Sequence, residues 1–387
     1  MAGFIARHRL NRVYSLEDFE KLSKSCLPRA VYEYVRNGAG TEFSLHYNEA
    51  AFHALLWQPY RLRQVDQIRT GITIFGETYS APFGLAPTGG AAMVRYDADR
   101  LEARAAHHHD TPYILSANSL TPLEDVFAIN PRTWFAPYFP DDYDVIDGMI
   151  ARLERVNCRV MVVTVDVPVA AKRIAEQRAG YAMPIRPNLP AACGALAHPG
   201  WLFDTLLRNI VAERKPRIEN IRAQGGPGIF SKEIKAVGGS PRFDWAHVRH
   251  IRDRWKHTLI LKGLLRADDT EKARDIGVDA VVLSNHGARQ IDTTISPMEA
   301  LMETRARLPD YPLIIDGGFR SGNDVLKAMA LGANLVLMGR PFLQACAVAG
   351  ESGVAKAITL VKEDIARCMA ILGVTQFDQL KEVLIEN

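Results

Sequence analysis

The chain has 387 residues, 48% of them hydrophobic, enough to bury a large core in one α/β domain with insertions or in two ordinary domains. With 47 basic and 44 acidic residues the net charge is +3, too balanced for the footprint of a nucleic-acid-binding protein. Five scattered cysteines (Cys26, Cys158, Cys193, Cys346, Cys368) lack C-x-x-C spacing, no apolar run approaches a membrane span, and the N-terminus lacks a signal-peptide core, all of which point to a cytoplasmic protein with reduced thiols.

Residues 1–80 read as an N-terminal helical segment. Ser15-Leu16-Glu17-Asp18 has the cap and first-turn acids of a helix start, and a second helix should run from Pro28 to a stop at Asn37-Gly38. Tyr32 and Tyr34, two apart on that helix, cannot share a face. From Pro82 a strand–helix alternation sets in. Strands are expected over 82–88, 112–117, 133–138, 159–166, 258–263, 280–286, 312–316 and 335–340. Helical patterns follow over 97–109, 122–129, 142–156, 268–276, 297–307, 322–331 and 352–371.

Eight such units specify a parallel sheet closed as a TIM (β/α)8 barrel. An open doubly wound sheet would need nucleotide-binding glycine punctuation after its first strand, and none occurs. The expected organisation is one domain over 1–387, with the barrel in 81–168 and 258–371 and a long insertion at 169–257. That insertion carries Pro184, Pro187, Pro190, Pro199 and Pro216, then Gly225-Gly226-Pro227-Gly228. Within it, 198–211 suits a short apolar helix bearing Trp201, Leu202, Phe203, Leu206 and Leu207, with basic residues Arg208, Arg214, Lys215, Arg217 and Arg222 on or after it. Such a segment fits a membrane surface or a partner subunit, or folds over its own barrel.

The strand ends carry polar groups: Pro87-Thr88-Gly89, Ser116, Tyr138, Thr164-Val165-Asp166, Lys262, Ser284-Asn285-His286, Asp316-Gly317-Gly318 and Gly339-Arg340. In a barrel these ends meet at one mouth, where sites of this fold lie. Strand 280–286 runs straight into His286 and Arg289, a titratable base and a fork-shaped cation suited to a carboxylate. The glycines after the last two strands, with Arg320 and Arg340, suit a phosphate, so a phosphorylated substrate or phosphate-bearing cofactor is expected, with Lys262 facing it. His107-His108-His109 diverge around a helix and read as a solvated helix end; no metal site is expected.

The run Ser284-Asn285-His286-Gly287-Ala288-Arg289-Gln290 resembles the signature of the FMN-dependent 2-hydroxy acid oxidases and dehydrogenases. The likeness extends from Leu27-Pro28-Arg29-Ala30 to Gly373, and Ile295-Ser296-Pro297-Met298-Glu299 looks most similar to the mandelate dehydrogenase branch. The resemblance implies FMN as cofactor and oxidation of an (S)-2-hydroxy acid, mandelate-like or lactate-like, to the 2-oxo acid, with a hydride passing to the flavin. It implies quinone or O2 as electron acceptor, a homotetramer, and a peripheral place on the inner face of the membrane if the insertion meets lipid.

By position, His286 would be the base, oriented by Asp166; Arg289 and Arg173 would clamp the substrate carboxylate, and Tyr34 and Tyr138 would bond substrate. Lys262 would stabilise the reduced ring, and Pro87, Thr88, Gly89, Ser116, Thr164 and Ser284 would line it. Asp316, Gly317, Gly318, Arg320, Gly339 and Arg340 would bind the ribityl and phosphate. Two positions depart from the family pattern: Ala136 stands where a Gln is usual, and Ile174 where many members carry an acid. Gly89 stands where dehydrogenases often have Gly and several oxidases have Ala. An oxidase releasing hydrogen peroxide and a catalytically idle flavin-binding barrel stay open as alternatives.

Overall fold

The computed structural model describes residues 9–181, 188–211, 216–233 and 238–386. Eight parallel strands form its centre: β1 Phe83–Leu85, β2 Ile114–Ser116, β3 Trp134–Ala136, β4 Val160–Thr164, β5 Thr258–Leu264, β6 Ala280–Leu283, β7 Leu313–Asp316 and β8 Leu335–Met338. They pair in the order β1-β8-β7-β6-β5-β4-β3-β2, and a parallel bridge from Leu85 to Tyr113 brings β1 against the start of β2. The ring is thereby closed, as the eightfold alternation predicted. Both faces of each strand are covered, which is why these runs are continuously aliphatic. Ile114, Val162, Ile260, Val282, Ile314 and Leu337 fill the barrel, while Leu115, Met161, Leu261, Leu283 and Ile315 pack outward on the helices.

The helices the periodicity predicted are present, including Ala98–His108, Tyr143–Arg155, Ala267–Ile276 and Pro297–Arg307, but Trp245–Arg254, within the stretch expected as insertion, was not predicted and packs beside them. Ser15 caps Leu16–Cys26 in a reciprocal box with Asp18. On Arg29–Arg36 the tyrosines part as their spacing requires: Tyr32 joins the core and Tyr34 faces the barrel mouth. The last helix is longer than expected. It begins at Arg340 and reaches Leu372 across a break at Ala349–Gly350, because Pro341 starts a helix at once in a stretch, 341–351, that the pattern left unassigned.

The segment 1–80 is not helical throughout. Ile72–Ile74 and Glu77–Tyr79 form a hairpin whose turn residues Phe75 and Gly76 both have positive φ. Its Ile74 and Tyr79 enter the barrel's interior cluster and stopper the end opposite the strand tips. Leu55–Trp57 pairs with Leu384–Glu386 and ties the two ends of the chain together.

The described part of the insertion is built onto the barrel. A helical stretch over Pro199–Val211 widens to π geometry at Leu202–Leu207. Trp201 Nε1 donates to Met93 O at 2.8 Å and Asn209 Nδ2 to Ala92 O at 2.8 Å, pinning one face to the barrel rim. Residues 216–229 return as an irregular loop bridged between Arg217 and Gly228, with Asn220 bonded to Thr121 O at 2.8 Å. Trp201 and Leu206 therefore serve the fold, while Phe203, Leu207, Ile210 and Val211 point outward. Pro184, Pro187, Arg214 and Lys215 lie outside the described residues.

Candidate active site

The strand tips converge on a cavity of ≈ 680 Å³. Pro87, Thr88, Gly89, Tyr138, Thr164, Lys262, His286, Arg289, Asp316, Gly317, Gly318, Arg320, Gly339 and Arg340 line it, joined from outside the barrel by Tyr34 and Arg173. Three expected residues do not. Asp166 stands behind His286, and Ser116 and Ser284 are buried as supports: Ser116 Oγ accepts from Asn118 N, and Ser284 Oγ from Lys262 Nζ and His286 N.

Strand β6 delivers His286 through a loop in which His286, Gly287 and Ala288 all take left-handed backbone. Asn285 sustains that turn. It exchanges amide hydrogen bonds with buried Asn48 and accepts Ala288 N at 3.0 Å. The imidazole Nδ1 lies 2.9 Å from Asp166 Oδ1. Burial would push the Asp166 carboxyl up, but the charge and hydrogen bond of His286, with Lys262 beyond, hold it below its ordinary value. Asp166 fits there because β5 bulges between Lys262 and Leu264 on Gly263 at φ 109°. A Cβ on residue 263 would stand 2.5 Å from the Asp166 side chain. Tyr138 lies beside His286, ring centres 6.4 Å apart; burial and then Asp166 push its phenol up, so it is a neutral donor at neutral pH.

The two arginines form one unit. Arg173 Nε donates to Arg289 O at 3.1 Å, and Arg289 Nη1 donates to Asn37 O at 2.8 Å. Ile174 opens the short helix Ile174–Arg178, and the acid that supports the arginines is Glu176, at 3.0 Å from Arg289 Nη2. Tyr34 donates to Gly89 O at 2.6 Å and stacks on Tyr181 at 4.6 Å. Asn118, expected with Gly89 as a small residue over the flavin, lines the cavity, but Glu176 and Tyr181 were not singled out from the sequence. They sit in loops or one short helix, where no periodicity marks a residue.

At the opposite end Lys262 Nζ lies 2.8 Å from Asp316 Oδ2 and 2.9 Å from Ser284 Oγ, nearly inaccessible. Burial works against the ammonium, but Asp316 and Asp166 together raise it above the ordinary lysine value. The turn after β7 needs its second glycine: Gly318 has φ 87°, and a Cβ there would stand 2.6 Å from Asn48 O. Arg340 is pulled well below the ordinary arginine range by burial, then by Arg289 and Arg320. Clustered cations of this kind call for an anion. Thr164 Oγ1 and Asp316 Oδ1, both of cavity-lining residues, are buried without a hydrogen-bond partner among the described residues. Orphaned polar atoms, a buried cation and a two-arginine anion corner fit FMN, with Lys262 for the ring edge and Arg320, Arg340 and Gly318 for the phosphate. Ala136 lies inside the barrel with Val162 and Ile260 and does not line the cavity.

One part of the wall is apolar. Ile218 and Ile229 from the insertion pack with Met93 and Leu120, and all four line the cavity.

A family profile described as FMN-dependent dehydrogenase matches residues 23–387. This chain belongs to that family. It is 32% identical over 382 residues to (S)-mandelate dehydrogenase of Pseudomonas putida, covering 97% of this chain and 94% of that one. L-lactate oxidase of Lysinibacillus sphaericus (strain C3-41) is 31% identical over 381 residues, covering 96% and 92%. The crystal structure of the monotopic membrane protein (S)-mandelate dehydrogenase superposes with a TM-score of 0.90 at 31% identity, covering 97% of this chain and 100% of that one. The protein is thus an FMN-dependent oxidoreductase of 2-hydroxy acids, acting on CH–OH donors.

Proposed function

We propose that the chain oxidises an (S)-2-hydroxy acid with a bulky apolar side chain, mandelate-like, to its 2-oxo acid, with His286 as the base. The observation that carries this reading is the His286–Asp166 pair at 2.9 Å, beside Tyr138 and two cavity-lining arginines. With Nδ1 donating to Asp166, Nε2 is the nitrogen left to take the substrate hydroxyl proton, and the carboxylate stabilises the imidazolium that results. Arg173 and Arg289 hold the substrate carboxylate, and Tyr138 donates to a substrate oxygen. FMN, when bound, supplies the acceptor for the two electrons leaving C2. Met93, Leu120, Ile218 and Ile229 receive the side chain, and this apolar cluster favours a bulky apolar group over a short or charged one. Anaerobic addition of mandelate, 2-hydroxyoctanoate, lactate and glycolate to the FMN-loaded protein tests this. Bleaching fastest with the first two is expected. No bleaching at all would sink the reaction, and preference for glycolate would sink the side-chain class.

The electron acceptor belongs to the same proposal: a membrane quinone reached by peripheral docking. Leu196, Phe203, Ile210, Val211 and Phe230 of the insertion are exposed: Leu196 on the helix Leu189–Ala197, the next three on the stretch anchored by Trp201 and Asn209, and Phe230 on the loop after it. Two of the basic residues contribute less than the sequence suggested, since Arg208 lies over the Tyr96 ring and Arg217 pairs with Glu219. Among the described residues no helix is long and apolar enough to cross a membrane. The similar mandelate dehydrogenase is a monotopic membrane protein, which supports the reading. Peroxide formed in step with substrate loss in aerated buffer would decide for an oxidase.

A further inference from the structure

Between the two arginines stands an acid to which the proposed reaction assigns no proton or electron. Glu176 is 7% exposed, lines the cavity, accepts from Arg289 Nη2 at 3.0 Å and lies 3.6 Å from Arg173 Nη1 through the same oxygen, Oε1. One carboxylate oxygen thus faces two guanidiniums of like charge, all three groups mostly buried at the cavity wall. Burial and then Arg173 pull Arg289 below the ordinary arginine range, and Glu176 is the leading opposing influence. The trio carries one net positive charge. A single substrate carboxylate neutralises it.

Resting on the function proposed above, we infer that Glu176 is a positioning residue. It holds Arg173 and Arg289 at the separation that grips one carboxylate, and it sets the charge of the pocket so that an anion is bound without being trapped. Its own negative charge competes with the substrate's, so its role differs from that of a simple binding group. Removing the charge leaves two buried cations that repel each other and attract anions harder.

The test uses FMN-loaded protein with Glu176→Gln, which keeps shape and an acceptor oxygen, and Glu176→Asp, which keeps the charge. Benzoate, a carboxylate with no hydroxyl to oxidise, serves as the binding probe by calorimetry. In Glu176→Gln benzoate should bind more tightly and with a steeper salt dependence. Flavin reduction at saturating hydroxy acid should meanwhile fall about 10- to 100-fold, the scale of a loss from ~1 Å misplacement. Glu176→Asp should recover much of the rate and return benzoate affinity towards wild type. The inference is overturned if Glu176→Gln reduces its flavin at the wild-type rate. It is equally overturned if Gln and Asp variants lose benzoate affinity and melting temperature together, as a packing role would give. Should wild type fail to bleach with any hydroxy acid, the proposed function falls instead. The benzoate comparison still judges Glu176, since unchanged affinity in Glu176→Gln would deny it the charge-setting role.

Discussion

His286 is held by three separate constraints: the Asp166 carboxylate on Nδ1, Ser284 Oγ on its backbone N–H, and a left-handed turn anchored through Asn285. His286→Ala should therefore leave the turn, the cavity and FMN retention intact while turnover drops about 10² to 10⁴-fold. Stopped-flow flavin reduction near the wild-type rate would remove His286 from its role. Arg289 differs, because its guanidinium already spends donors on Asn37 O and Glu176 and keeps others free. Lysine at this position cannot serve backbone, acid and ligand at once. Arg289→Lys should raise the substrate dissociation constant and slow reduction together; unchanged constants would show that the guanidinium never meets substrate.

At the scale of elements, the β5 bulge and the helix Ala98–His108 each make a distinct demand. Gly263→Ala puts a methyl group 2.5 Å from Asp166 atoms on a backbone of φ 109°. A strain of about 1–3 kcal/mol should lower the melting temperature modestly. Displacement of Asp166 should cut flavin reduction far more than stability. A variant with wild-type rate would mean that Asp166 does not orient His286. On the helix, Asp99 is buried with hydroxyls of Ser119 and Thr121 as its partners, and burial pushes it up to about 6. A raised carboxyl costs stability at every pH where the folded state must ionise it. That cost is full above about 6 and fades as pH falls through this value towards the ordinary aspartate range. Asp99→Asn should accordingly raise the melting temperature most at pH 8, by less at pH 5, and not at all once the pH nears the ordinary value of 3.8. An equal gain at all three pH values would refute the assignment.

For the whole molecule, the insertion joins two surfaces: its inner face completes the apolar wall of the cavity, and its outer face leaves Phe203 and Val211 in solvent. The double substitution Phe203→Ser, Val211→Ser removes apolar area from the outer face alone. It should weaken sedimentation with anionic vesicles while flavin reduction by soluble hydroxy acid stays unchanged. Wild type that ignores vesicles at low salt would end the membrane proposal. A double variant that also loses reduction would show that the outer face supports the cavity.

The local sequence was sufficient for the barrel, because strands covered on both faces must be aliphatic throughout and the eight tips must then carry whatever is polar. It also marked His286, Arg289, Lys262 and the Asp316–Gly318 turn, since chemistry at a strand end stands out against an apolar run. The Phe75–Gly76 hairpin fell in a segment expected to be helical, and its place at the barrel's end comes from packing against Trp134. Tertiary structure alone decided the rest. Ser116 and Ser284 moved from wall to support because strand pleating sends neighbouring residues to opposite faces and a bulge or turn resets the count. Glu176 became the partner of two arginines through a contact spanning 113 positions, from Arg289 back to a helix too short to show a period. Ile218 and Ile229 reached the cavity because Asn220 and Arg152 fasten their loop to the barrel, long-range hydrogen bonds that no spacing in the chain announces.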